Sequence, residues 1–231
     1  MRAPITGLAV RMAACLALLV LMAAPLAGSA AAKVNNSHLS AKDRADLAKV
    51  SHYLNTLPPL KGRFKQVSVE PAGNSAGGGG RTGHAKGTFY LQQPGRMRFE
   101  YDPPQQVLFI SDGRFVTVED KELESVDNYP LSKTPLHLLL KGDLNLIKDA
   151  QVVAVHRTPG WLQVTARKDN DRDMSGQLTM TLSWPKLDLV QWTVIDSKET
   201  RTTVTLRDVK RNVKLRPGLF RATDYDFEAW D

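Results

Sequence analysis

The sequence predicts a mainly β protein: an antiparallel sheet or barrel with one apolar face, accompanied by a few helices. Three observations carry that expectation. Arg96–Tyr101 alternates completely, with Met97, Phe99 and Tyr101 on one face and Arg96, Arg98 and Glu100 on the other, the period-two pattern of a half-buried strand. Turn signals punctuate the chain at Pro94-Gly95, Asp102-Pro103-Pro104, Asp112-Gly113 and Pro159-Gly160, and Asp112-Gly113 reads as a tight hairpin with positive φ angles. Beyond Gln151, strand-like segments recur about every ten residues, the spacing of antiparallel sheets and barrels. A sheet with one large apolar face must cover it, and what covers it decides the function.

The 231-residue chain opens with Arg2 and Arg11, an apolar run Met12–Ala24, Pro25 and the small residues Gly28–Ala32. Charge, apolar run and small residues in that order form a secretory leader. Residues 1–32 are therefore expected to be cleaved, with the cut near Ala31 or Lys33, leaving a single domain over 33–231. An uncleaved anchor fits less well, because Pro25 and the alanine-rich stretch suit cleavage. A lipoprotein signal fails on order, since Cys15 precedes the apolar stretch. Cys15 is the only cysteine, so the mature chain would hold no disulfide, thiolate nucleophile or cysteine metal site.

Formal charge is +7, and +5 without Arg2 and Arg11. A basic balance suits nucleic acid, anionic lipid or an acidic protein. Export argues against nucleic acid, and the cations are scattered among 24 carboxylates, as on an ordinary solvated surface.

Ser40–Leu57 reads as an amphipathic helix. Ser40 and Asp43 resemble a capping box, Leu47, Val50, Leu54 and Leu57 form its stripe, and Pro58-Pro59 stop it. A strand follows over Gly62–Val69, then a mobile hairpin loop over Pro71–His84 containing Gly77–Gly80. Hairpin strands fill Gly87–Asp120, with a further strand over Glu122–Asp127. Thr134–Gly142 reads as a short apolar helix with Thr134 at the N-cap, Pro135 in the first turn and Gly142 just past the end. Strands resume over Gln151–Arg157, Trp161–Arg167, Gly176–Trp184, Leu189–Asp196 and Thr202–Val209, with no fixed-period repeat.

Catalytic patterns are missing from the sequence. His38, His52, His84, His137 and His156 form no HExxH, and no serine sits in a GxSxG elbow. His137, on an apolar helix, reads as a packed or capping histidine. The glycine run ending in Arg81-Thr82 lacks the lysine of a phosphate loop. Asp169–Asp173 alternates carboxylates as a calcium loop does, but Met174 and Met180 stand where Gly and Glu are needed. No catalytic residue, metal or cofactor is expected.

The ordered set of motifs is similar to a known family. An exported leader and an amphipathic helix precede Gly62-Arg63-Phe64-Lys65-Gln66 and Gly87–Tyr101. Asp102-Pro103-Pro104, Ile110-Ser111-Asp112-Gly113 and Thr134-Pro135-Leu136-His137-Leu138-Leu139 follow. This resembles the LolA family of periplasmic outer-membrane lipoprotein carriers. The resemblance spans the mature chain and is densest over Phe64–Leu140. It implies an incomplete, strongly curved antiparallel β-barrel whose concave apolar face is lidded by the N-terminal helix and a short internal helix. It also implies a monomeric chaperone that takes lipoprotein acyl chains from an inner-membrane ABC release complex to an outer-membrane receptor or the outer membrane itself.

Family members carry an arginine immediately before the proline of the strand-ending motif, and that arginine helps hold the lid by hydrogen bonds. Here the position is Gln93, with Arg96 and Arg98 the nearest arginines, so these three are the candidate latch. Glutamine can donate a hydrogen bond but carries no charge. The candidate lipid cavity is Phe64, Phe89, Leu91, Met97, Phe99, Tyr101, Phe109, Phe115, Leu136, Leu139 and Leu140. Alternation leaves open whether Val107 and Phe109 or Leu108 and Ile110 face inward, because both pairs are apolar. Two other classes fit the same strands: an exported sensor or scaffold on a related half-barrel, and a hydrolase of unrecognised geometry. An ordinary sandwich core would also use these residues.

Overall fold

The structure is a computed structural model that describes residues 35–72, 80–168 and 176–222. The leader, Gly77–Gly79 and Asp169–Asp173 lie outside the described residues. Helix α1 runs Ala41–Asn55 behind Ser40, whose hydroxyl accepts from the Asp43 N–H while Asp43 accepts from the Ser40 N–H, so the capping box is complete. Eleven strands form one antiparallel sheet: β1 (Leu60–Glu70), β2 (Arg81–Gln92), β3 (Arg96–Tyr101), β4 (Val107–Asp112), β5 (Phe115–Asp120), β6 (Ser125–Pro130), β7 (Ala150–Thr158), β8 (Trp161–Lys168), β9 (Gln177–Ser183), β10 (Leu189–Ile195) and β11 (Arg201–Arg211). Their spatial order is β6-β5-β4-β3-β2-β1-β11-β10-β9-β8-β7. Two meanders thus join where the last strand pairs with the first, and β6 and β7 are left as unjoined edges.

Between β6 and β7 the chain makes a 3₁₀ turn (Leu131–Lys133) and two one-turn helices, α2 (His137–Leu140) and α3 (Leu146–Asp149). Three expectations need correction here. Thr134 does not cap α2; its hydroxyl donates to the Leu131 carbonyl and closes the 3₁₀ turn, and the helix begins from Leu136 with no side-chain cap. The loop expected to reach His84 is shorter, because Arg81–His84 already pair with Glu70–Val67. The strand expected over Glu122–Asp127 starts later, at Ser125. Asp120 Oδ1 accepts from the N–H groups of Glu122 and Leu123, and Glu124 takes φ 51°, so these residues are spent on the turn.

The sheet is strongly curled. Phe99 on β3 and Trp192 on β10 have ring centroids 5.8 Å apart, yet β2, β1 and β11 lie between their strands. On a flat sheet, strands four steps apart would be about 19 Å from each other, so the sheet curls until β3 and β10 meet through their side chains across its concave face. Two glycines permit the tight lining on β1 and β2. Gly62 lies opposite Phe89 and Gly87 opposite Phe64, so each ring lies over the glycine of the neighbouring strand. A Cβ at Gly87 would sit 2.5 Å from the Phe64 ring and 2.0 Å from the Glu100 carbonyl oxygen. Gly87→Val is therefore expected to destabilise the fold by about 3 kcal/mol or more; a thermal melt within a degree or two of wild type would refute that reading.

The outer face of the second meander is polar and cross-bonded. Thr165 pairs with Thr179 at 3.0 Å and Thr193 with Thr203 at 2.9 Å, while Gln163 donates to Thr181 and Thr205 to Gln191. Such cross-strand pairs hold register on a face that solvent can reach.

Candidate functional site

The site is the inner wall of the curled sheet. Phe64, Phe89, Leu91, Met97 and Phe99 from β1–β3 are buried in one apolar cluster with Leu136, Leu139 and Leu140 of the α2 segment. Phe99 is its centre, within ring contact of Phe64, Phe89, Phe109 and Trp192. Tyr101 and Phe109 are half-buried and pack against the same cluster. Phe109 lies opposite Phe99, so Val107 and Phe109 are the inward pair. Ile110 is buried too, but it alternates to the outer face beside Arg98. Both sets on β4 are apolar because both faces of that strand are covered.

Phe115 does not join the wall. It is 43 % exposed, because β5 turns Val116 inward instead. The sequence reading also missed half of the lining. Leu162, Val164 and Ala166 on β8, Leu178, Met180 and Leu182 on β9, and Trp192 and Val194 on β10 are all buried in the cluster. The signal was present in the alternation of Leu162–Ala166 and Leu178–Leu182.

Two helices cover the concave wall. Leu47, Val50 and Leu54 of α1 and Leu138, Leu139 and Leu140 of α2 share the cluster with the strand residues. At the β2–β3 turn, Gln93 Nε2 donates to the Leu139 carbonyl at 2.9 Å and the Gly95 N–H donates to the Leu140 carbonyl at 2.8 Å. These bonds satisfy carbonyls that the end of a helix leaves open. Arg96 and Arg98 are elsewhere: both alternate to the outer face, where Arg98 pairs with Glu100 at 2.7 Å and donates to the Leu219 carbonyl. They hold no part of α2, which corrects the expectation that they share in a latch.

The lid segments are tied to each other as well. Lys141 meets Asp149 at 2.9 Å. Burial pushes the Asp149 carboxyl up, but the Asn145 N–H and the Lys141 ammonium outweigh it and hold it below its ordinary value. Asn55 on α1 exchanges two hydrogen bonds with the Leu144 backbone, and Ser51 accepts from the Leu146 N–H. Helix α1 is clamped to the edge strand β7 by Arg157, which contacts Asp43 at 2.8 Å and also Asp46. The Asp43 carboxyl is held down to about 2, first by the Ser40 hydroxyl and then by Arg157.

A family model described as outer membrane lipoprotein carrier protein LolA matches residues 55–223. The chain belongs to the LolA family. Among curated relatives, the outer-membrane lipoprotein carrier protein of Pseudomonas syringae pv. syringae (strain B728a) is 27% identical over 183 residues, covering 78% of this chain and 84% of that protein. That of Pseudomonas aeruginosa (strain UCBPP-PA14) is 27% identical over 190 residues, covering 80% and 87%. Among solved structures, a LolA superfamily protein from Nitrosomonas europaea is 9% identical, covers 78% of this chain and 97% of its own, and has a TM-score of 0.43. A DUF1329 family protein from Desulfovibrio piger is 10% identical, covers 78% and 96%, and has a TM-score of 0.48.

Of the three candidate latch residues, Gln93 is the one that reaches α2, and its amide donates to the Leu139 carbonyl without a charge. A neutral donor to a carbonyl is worth about 1 kcal/mol net, and a charged one roughly twice that. The polar ties of α2 to the β2–β3 turn are thus weak, and most of its attachment comes from the burial of Leu138, Leu139 and Leu140.

Proposed function

We propose that this chain is a periplasmic, non-enzymatic carrier. It takes the acyl chains of lipoproteins into the hollow and shuttles them from an inner-membrane ABC release complex to the outer membrane or a receptor there. Export by the leader over residues 1–32, with 33–231 as the working domain and a monomeric state in transit, completes the reading. The observation that carries it is the lid: Leu138, Leu139 and Leu140 complete an apolar interior while α2 is fastened to the β2–β3 turn by two hydrogen bonds.

The magnitudes suit reversible carriage. An acyl chain of about 16 carbons gains on the order of 12 kcal/mol on leaving water. Three fully buried leucines are worth about 5–9 kcal/mol together, so a guest that displaces them gains modestly on balance. A rigid core would hold too firmly to admit the chain, and an uncovered trough would be an exposed apolar patch prone to aggregation. The basic outer surface, with Arg96 exposed on it while Arg98 is committed to Glu100, suits an acidic docking loop or anionic headgroups.

The test offers a triacylated cysteine lipopeptide in vesicles to the mature protein. A one-to-one complex in the soluble fraction is expected, with altered emission from Trp192. Gln93→Leu removes one lid bond of about 1 kcal/mol and should speed uptake about fivefold. Lipopeptide that stays wholly in the vesicles would overturn the proposal.

A further inference from the structure

Apart from Ser111, whose buried hydroxyl donates to the Gly95 carbonyl at 2.7 Å, the polar groups of the inner wall on β1, β3 and β11 fall along one line. On β1 the inward positions run Leu60, Gly62, Phe64, Gln66, Ser68, so the last two break an otherwise hydrophobic row. Gln66 is 6 % exposed and Ser68 2 %. Tyr101 Oη donates to Gln66 Oε1 at 2.7 Å, Gln66 Nε2 donates to Ser68 Oγ at 3.3 Å, and Ser68 Oγ lies 3.3 Å from Thr202 Oγ1. The row thus crosses from β3 through β1 to β11. It sits at the opposite end of the sheet from the Gln93 latch, since Ser68 pairs with Gly83 at the start of β2 and Leu60 with Leu91 near its end. Ala85 and Gly83, facing Gln66 and Ser68 on β2, place little bulk beside them.

A core built only for stability gains nothing from hydroxyls and an amide there, because burying such groups costs free energy unless every bond is kept. All four groups are uncharged donors, already bonded along the row, so a guest acceptor would take over one of these bonds. They suit neutral acceptors with no fixed charge, which is the chemistry of ester and amide carbonyls. A free carboxylate would call for a cation.

We infer that Gln66, Ser68, Tyr101 and Thr202 form a headgroup subsite that hydrogen-bonds the acyl carbonyls of the lipidated cysteine while its chains lie along Phe64 and Phe99. The inference rests on the carrier reading above and sharpens it, giving the hollow a polar end and an apolar end. Fatty-acyl ester carbonyls also occur in glycerophospholipids, so both sources enter the test.

The experiment compares wild type with Tyr101→Phe and Gln66→Leu, and with the milder Ser68→Ala, for binding of three probes. These are a triacylated cysteine lipopeptide, a diacyl glycerophospholipid and palmitate, with thermal melts recorded for each variant. Expected is a roughly tenfold loss of lipopeptide affinity with palmitate unchanged. A parallel loss for the phospholipid assigns the contact to the glyceryl esters, and a loss confined to the lipopeptide assigns it to the amide. Equal losses for all three probes, or no loss for the lipopeptide in any folded variant, would overturn the subsite. Wild type that binds none of the probes would instead sink the carrier reading on which it rests.

Discussion

A disulfide between cysteines placed at Pro94 and Gly142 is expected to stop lipopeptide uptake, and its reduction to restore it. Both positions are exposed, and a Cβ at Gly142 would lie 2.6 Å from the Pro94 Cβ. A relaxation of about 1 Å brings the pair to the separation that a disulfide spans. Pro94 belongs to the β2–β3 turn and Gly142 lies one residue beyond the α2 C-cap Lys141, so the bond would fasten the end of the lid that Gln93 and Gly95 hold. A variant that starts at Lys33 lacks Cys15, the sole cysteine of the sequence, so no native thiol would compete. Oxidised protein should take up lipopeptide at least tenfold more slowly than the same sample after reduction. Equal rates in the two states would show that the chains enter without moving α2.

Arg157→Ala should produce the largest loss of stability among single charge removals, about 3–5 kcal/mol. The reason lies in its partner: Asp46 is 3 % exposed, and deleting the arginine leaves this buried carboxylate only the more distant, largely exposed Lys49 ammonium at 3.5 Å. For a chain of this length the expected fall in Tm is on the order of 10 °C. Adding Asp46→Asn to Arg157→Ala should recover a substantial part of it, since the neutral side chain needs no counter-ion. A single variant that melts with wild type would remove the clamp from the account. The same cluster sets an acid limit. Asp43 has its carboxyl lowered from 3.8 to about 2 in the folded chain, so its contribution is complete above the unfolded value and fades as pH falls through the folded one. Attachment of α1 should weaken between about pH 4 and pH 2, and Ser40→Ala should move that loss to higher pH.

How much of this was legible in the sequence depends on how local each cause is. The α1 cap was readable because Ser40 and Asp43 are three residues apart and answer one another. Arg96–Tyr101 was readable because its alternation is perfect. Thr134 misled because its hydroxyl has two nearby uses, and the 3₁₀ turn took it first. Helix α3 is one turn long, and its sole sequence sign is Asn145, whose side chain accepts from the N–H groups of Ile147 and Lys148. Phe115 misled because Val116 and Val118 compete with it for the inner face, and a two-residue hairpin leaves the phase of the strand undetermined. The Arg157 clamp joins residues more than a hundred positions apart, and nothing in either segment announces the other. Gln66 and Ser68 were visible as polar residues in a strand, but their inward direction emerges only once Phe64 is seen to fix the phase.

The unjoined edges of the sheet have a mechanical consequence. A closed hoop has a set girth, and widening it means breaking a rung somewhere along its circumference. Here β6 and β7 are the two ends of the ladder among the described residues, so a change in the curl of the sheet need not break a backbone rung. On the carrier proposal, one container would then suit a slim passenger or a stout one, with the adjustment falling on side-chain ties.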